Sequence, residues 1–132
     1  MKLLDNQLDK PSLAKFGEEA CRLFGARDFR GLAERFGYAL HGNIDEASAI
    51  EMDLQRCLSG RDFSSTETES VTVRYFKPND TGLIWLIECV LLFDKSVRVL
   101  VELIVAKNGE AHNLYLEDIN AVASYEGSLV KR

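Results

Sequence analysis

From Val71 to Leu116 the chain is written in strand-like segments that are apolar on both faces. They read Val-Thr-Val-Arg-Tyr-Phe, Leu-Ile-Trp-Leu-Ile-Glu-Cys-Val-Leu-Leu-Phe, Val-Arg-Val-Leu-Val-Glu-Leu-Ile-Val and His-Asn-Leu-Tyr-Leu. A sheet that rests on helices needs only one apolar face, because the other can be left to water. A second apolar face asks for a second cover: a subunit, a partner or a ligand. No catalytic motif accompanies the block, so the pattern bounds the function without naming it.

Turns between the segments constrain how they pair. Pro78-Asn79-Asp80-Thr81-Gly82 and Asp94-Lys95-Ser96 mark two reversals, and Asn108-Gly109 is a two-residue hairpin signal of type I′. Setting Lys77 opposite Leu83, Phe93 opposite Val97 and Lys107 opposite Glu110 gathers one apolar row. Val71, Val73 and Tyr75 join it from the first strand, and the alternate residues Trp85–Leu91 and Val99–Val105, with Leu114 and Leu116, from the others. A slip of one residue would send every side chain to the wrong side, so agreement over three turns supports this register. The opposite face then carries Arg74, Ile84, Leu86, Val90, Leu100 and Ile104, crossed by a polar row of Thr72, Glu88, Glu102 and Tyr115. Leu116-Glu117-Asp118-Ile119 reads as a short turn, and Ala121-Val122-Ala123 as a final edge segment.

Upstream, the apolar spacing changes from two to about three and a half, which predicts three helices. Ser12 caps the first, with Leu13, Phe16, Ala20, Leu23 and Phe24 on one stripe and Gly25 as its stop. Asp28 caps the second, which carries Phe29, Leu32, Phe36 and Leu40 and ends at Gly42-Asn43. Asp45 caps the third, with Ala47, Ile50, Leu54 and Leu58. Residues 61–70 read as a loop. Gly17, Gly31 and Gly37 interrupt helices at a cost of about 1 kcal/mol each relative to Ala, which points to close helix packing. The expectation is an α+β domain over 1–132, with flexible ends at 1–11 and 128–132. Its three N-terminal helices pack on one face of an antiparallel meander of four strands, or five.

Composition narrows the function class. A net charge of -5 argues against binding nucleic acid through phosphate neutralisation. The same acidity suits a basic protein partner, since complementary charge speeds encounter. Cys21, Cys57 and Cys89 are widely spaced and read as buried free thiols in a reducing compartment. Met1-Lys2-Leu3-Leu4 meets Asp5 with no apolar run of a signal peptide, and Leu83–Phe93 is too short for a membrane helix. The expected location is the cytoplasm, away from membranes.

Two constellations carry candidate chemistry. Glu88 and Glu102 opposite each other would repel, and in a dry site one would hold its proton to higher pH. With Tyr115 as a hydrogen-bond donor they could do acid–base work. The plainer reading is a polar stripe, solvated or bridged to Arg74 and Arg98, which is favoured because structural ion-pair networks also perturb carboxylates. Acidic residues also collect as Asp45, Glu46, Glu51 and Asp53 on the third helix and as Asp62, Glu67 and Glu69 after it. They are candidate contacts for a basic partner, weighed against an ordinary acidic helix start and a solvated loop. His41 and His112 have no ligand spacing around them, so neither a metal nor a cofactor is expected.

Three helices followed by a long meander, with the Asp28-Phe29-Arg30-Gly31-Leu32 entry and the small-residue bend at His41-Gly42-Asn43, resemble the nuclear transport factor 2-like superfamily. That resemblance implies a cystatin-like α+β fold. It also implies a choice among isomerases and dehydratases, small-ligand binders, dimeric adaptors and bacterial immunity proteins. Enzyme members place acid–base groups on the helix-facing side of the sheet, and here that side is aliphatic apart from Tyr75 and Trp85. The enzyme reading loses ground without being closed, and the reading that follows is a small acidic immunity protein that neutralises a basic toxin domain by binding it. The alternatives are a small-molecule binder or isomerase-like protein centred on Glu88, Glu102 and Tyr115, or a homodimer through the second sheet face.

Overall fold

The computed structural model describes residues 1–39 and 45–122. The strands are β1 (Lys2–Leu3), β2 (Thr66–Tyr75), β3 (Leu83–Phe93), β4 (Val97–Asn108) and β5 (Ala111–Ala121), and the helices are α1 (Lys10–Gly25), α2 (Phe29–Phe36) and α3 (Glu46–Cys57). They make an α+β fold with one antiparallel sheet in the order β1-β5-β4-β3-β2.

Each helix begins on an aspartate whose side chain accepts a backbone N–H three residues on. Asp9 accepts from Ser12, Asp28 from Gly31 and Asp45 from Ser48, at 2.8, 2.9 and 3.0 Å. Such a cap is worth about 1 kcal/mol relative to alanine. The first helix therefore starts earlier than expected: Asp9, not Ser12, is its cap, and Pro11 falls in the first turn where no N–H is missed. The second stops earlier. Gly37 adopts φ +74, and α2 ends at Phe36, not at Gly42. Tyr38 then bridges to Leu116 of β5, and the Ala39 N–H donates to the Leu116 carbonyl. Leu40, His41, Gly42-Asn43 and the tail from 128 lie outside the described residues.

The register across the first two turns is the one expected: Tyr75 opposite Trp85, Thr72 opposite Glu88, Glu88 opposite Glu102 and Phe93 opposite Val97. The last hairpin differs. Its turn is Gly109-Glu110, with Gly109 at φ +66, so Lys107 faces His112 where Glu110 was expected. A two-residue slip preserves parity, and Leu114 and Leu116 still point inward and are fully buried. Glu117-Asp118-Ile119 is not a turn. A bulge there lets β5 run on to Ala121, with Ile119 inward. Two more differences lie at strand beginnings. β2 starts at Thr66 inside the expected loop, and Lys2–Leu3 of the lead-in form an edge strand on β5, beside His112 and Asn113.

The inward row (Ile87, Cys89, Leu91, Val99, Val101, Leu103) merges with Leu13, Phe24, Leu32, Ile50 and Leu54 of the helices into one core. Tyr75, expected in that row, is 56% exposed and rests edge-on against Trp85 at 5.0 Å between ring centroids. All three cysteines are free thiols, Cys57 only half-buried. No helix among the described residues is long and apolar enough to cross a membrane.

Gly17 is where α1 meets the sheet most closely. A Cβ there would lie 2.8 Å from Val71 Cγ1, 2.9 Å from Ile87 Cγ2 and 3.2 Å from Cys89 Sγ. Beside it the Cys89 thiol donates to the Gly17 carbonyl at 3.6 Å. Gly17→Ala should therefore destabilise by about 1–3 kcal/mol through overpacking, outweighing the roughly 1 kcal/mol of helix propensity it gains. Urea unfolding checks this: a lower midpoint is expected, and an unchanged or higher one would show that the contact is slack.

Candidate functional site: the acidic row on the open sheet face

Several rows run across the strands on the face of the sheet turned away from the core, three of them at its centre. Thr72, Glu88, Glu102 and Asp118 form the middle one, each directly opposite the next. On one side stand Arg74, Leu86, Ile104 and Tyr115, and on the other Ser70, Val90, Leu100 and Asn120. Leu86, Val90, Leu100 and Ile104 are half-buried, whereas the alternate residues Ile87, Cys89, Val101 and Leu103 of the same strands are fully buried against the helices. The result is a lane of carboxylates between two aliphatic borders.

Tyr115 was expected to complete the acidic row. The structure places it opposite Ile104 instead, because of the slipped hairpin, and the bulge at Glu117 puts Asp118 opposite Glu102. Asp118 was missed because Glu117-Asp118 looks like turn sequence. Only a bulge, which admits one extra residue into a continuing strand, carries it to this face. Tyr115 lines a separate shallow hollow of about 320 Å³ with Leu83, Ile104 and Glu117.

Charge in the lane is poorly balanced. Arg74 pairs with Glu88, its Nη2 lying 2.8 Å from Oε1, and Arg98 binds Glu69 at 2.9 Å. Among the described residues Glu102 and Asp118 have no ion-pair partner. Burial, then the nearby charges of Asp118, Glu88 and Glu117, push the Glu102 carboxyl above its ordinary range, against a smaller opposing pull from Arg74. Burial and Glu117 likewise raise the Tyr115 hydroxyl.

The seven acids proposed as partner contacts, in two groups, differ in what they already bind. Asp45 is spent as the α3 cap, and Glu46 accepts the Tyr38 N–H at 3.1 Å. Asp53 accepts the Tyr38 hydroxyl at 2.5 Å and pairs with Arg56 at 2.6 Å, and burial together with Asp53 raises the Tyr38 hydroxyl strongly. Glu51 is exposed beside Ser48, Met52 and Gln55 in a hollow of about 590 Å³. Glu51 also borders a second hollow that holds Asp62. Glu67 pairs with Leu92 on the open face, and Glu69 lies at the β2 irregularity between Thr68 and Ser70, held by Arg98.

Chemically, the lane can accept hydrogen bonds and attract cations. No charged side chain is buried among the described residues, and the polar atoms of the buried set are the thiols of Cys21 and Cys89 and the Tyr38 hydroxyl. No group of three or more His, Cys, Asp and Glu suited to a metal occurs among the described residues. Compared with models of known protein families, with curated proteins and with solved structures, the chain matches none.

The raised Glu102 carboxyl fixes the sign of a pH effect. Between its ordinary value and its higher value in the fold, the native state binds more protons than the unfolded state. Stability therefore falls as pH rises through that window, and the penalty is complete above it. Glu102→Gln should raise stability at pH 7 by about 0.5 kcal/mol, the scale of one cross-strand like-charge contact on a partly solvated face. The gain should vanish below about pH 4, where carboxyls are protonated in both states. Thermal melts across pH test this; a lower melting temperature for the variant at pH 7 would contradict it.

Proposed function

We propose that the chain is a protein-binding α+β domain of the nuclear transport factor 2-like kind, acting in the cytoplasm as an immunity protein that neutralises a basic bacterial toxin domain. The observation that carries this reading is the lane Glu88–Glu102–Asp118 between Leu86–Ile104 and Val90–Leu100, on the sheet face opposite the buried core row. Like charges directly opposite one another destabilise the free protein. A partner that lays cations on them removes that cost and buries the aliphatic borders at the same time. Charge complementarity of this sort also raises the encounter rate and rejects acidic competitors.

A second copy fits the same face less well. Face-to-face pairing would bring one acidic row against another. Each 4 Å like-charge contact costs about 1 kcal/mol in water and about 4 kcal/mol at the effective dielectric of a protein surface. An isomerase-like reading would need an acid–base pair in an enclosed site, whereas this row lies on an open face and Tyr115 is not part of it.

A growth assay tests the reading. The C-terminal domain encoded by the adjacent upstream gene is induced in a test bacterium with wild-type chain, with Glu88→Gln/Glu102→Gln/Asp118→Asn, or with Glu51→Lys/Asp62→Lys. Wild type should restore growth, the triple variant should lose at least ~10-fold in binding and fail to protect, and the α3 variant should protect. Protection by the triple variant would overturn the role of the sheet face. Absence of any toxicity or rescue would overturn the immunity reading itself.

A further inference from the structure

The spacing of the lane says what kind of element fits it, given the protein-binding reading above. Adjacent strands lie about 4.8 Å apart, so three carboxylates on β3, β4 and β5 span about 10 Å. An α-helix offers side chains at i, i+3 or i+4, and i+7 over about 10.5 Å. An extended strand offers i, i+2 and i+4 over about 13 Å, too long by a third. The aliphatic borders on either side of the lane match a helix whose basic stripe is flanked by apolar positions, as in an amphipathic helix with a narrow charged seam.

We infer that the occupant of this face is an α-helix of the partner, laid across β3, β4 and β5 with Lys or Arg at i, i+3 or i+4, and i+7 over Glu88, Glu102 and Asp118. Its flanking apolar residues cover Leu86–Ile104 on one side and Val90–Leu100 on the other. A docking strand at a sheet edge is the competing mode. β2 is poorly made for it: its free edge carries Glu67 and Glu69 and a register shift between Thr68 and Ser70, features that discourage strand addition. A second copy is disfavoured by the charge argument already given.

Stapled helical peptides test the inference with the full chain. One carries lysines at i, i+4 and i+7 flanked by leucines; its permuted counterpart has the same composition with the lysines spread around the helix. Fluorescence anisotropy at low salt should show the striped peptide binding at least ~10-fold tighter. Glu88→Gln/Glu102→Gln should cost the striped peptide ~10-fold and flatten its salt dependence, while leaving the permuted peptide nearly unchanged. Amide shifts in labelled chain should centre on Val90, Leu100 and Ile104. Equal binding of the two peptides, or shifts centred on α3, would overturn the helix assignment. So would a concentration-dependent dimer of the chain that masks this face. A toxin bound through the lane by strands or loops would also overturn it while leaving the proposed function standing, whereas failure of growth rescue would strike the proposed function alone.

Discussion

Strand register governs both faces of this protein at once. Along β3, Ile87, Cys89, Leu91 and Phe93 are buried against the helices, so Leu86, Glu88, Val90 and Leu92 must face the other way. Moving β4 by one residue would put Glu102 into the core opposite Ile87 and expose Val101 and Leu103. Burying an unpaired carboxylate costs several kcal/mol, more than any surface interaction of this chain can return. The acidic row is thus fixed by the core behind it. Close contact at Gly17 holds α1 against Val71, Ile87 and Cys89, and with it the face that must stay dry.

Much of this was readable from residue order, for a physical reason. The turns Pro78–Gly82 and Asp94–Ser96 have lengths that leave one sensible pairing, and the period of two in Val97–Val105 allows no other burial. Glu88 opposite Glu102 follows from those two facts. What escaped was set by backbone events that leave weak traces. Gly37 was read as an interruption when its left-handed conformation ends α2. The Asn108-Gly109 pair suggested a turn one residue too early, whereas Gly109 takes the first turn position with φ +66. The bulge at Glu117 hides in a sequence that looks like a strand end, and Asp118 was lost with it. Lys2–Leu3 are too short to show any period, so β1 was invisible.

The acids of α3 show how one composition can serve two ends. Asp45, Glu46 and Asp53 build the fold, capping a helix and tying Tyr38 to it, which leaves Glu51 and Asp62 as exposed charge in that region. On the sheet the reverse holds. Glu102 and Asp118 make no ion pair among the described residues, and the Asp118 charge helps hold the Glu102 carboxyl above its ordinary range. Asp118 makes only a local bond, accepting the Ile119 N–H at 3.0 Å, so carboxylates with no ion pair among aliphatic side chains remain available to a partner. That contrast is why the open face, and not α3, is the surface proposed for binding.

Zero-length carbodiimide cross-linking of the complex with the proposed toxin partner, mapped by mass spectrometry, would test that proposal most directly, because it joins only carboxylates in contact with lysine amines. Links from Glu102 and Asp118 to lysines of the toxin are expected, with few from Glu51 or Asp62. Links confined to Glu51 and Asp62, with Glu102 and Asp118 unmodified by the toxin, would place the partner on α3 and contradict the assignment of the open sheet face.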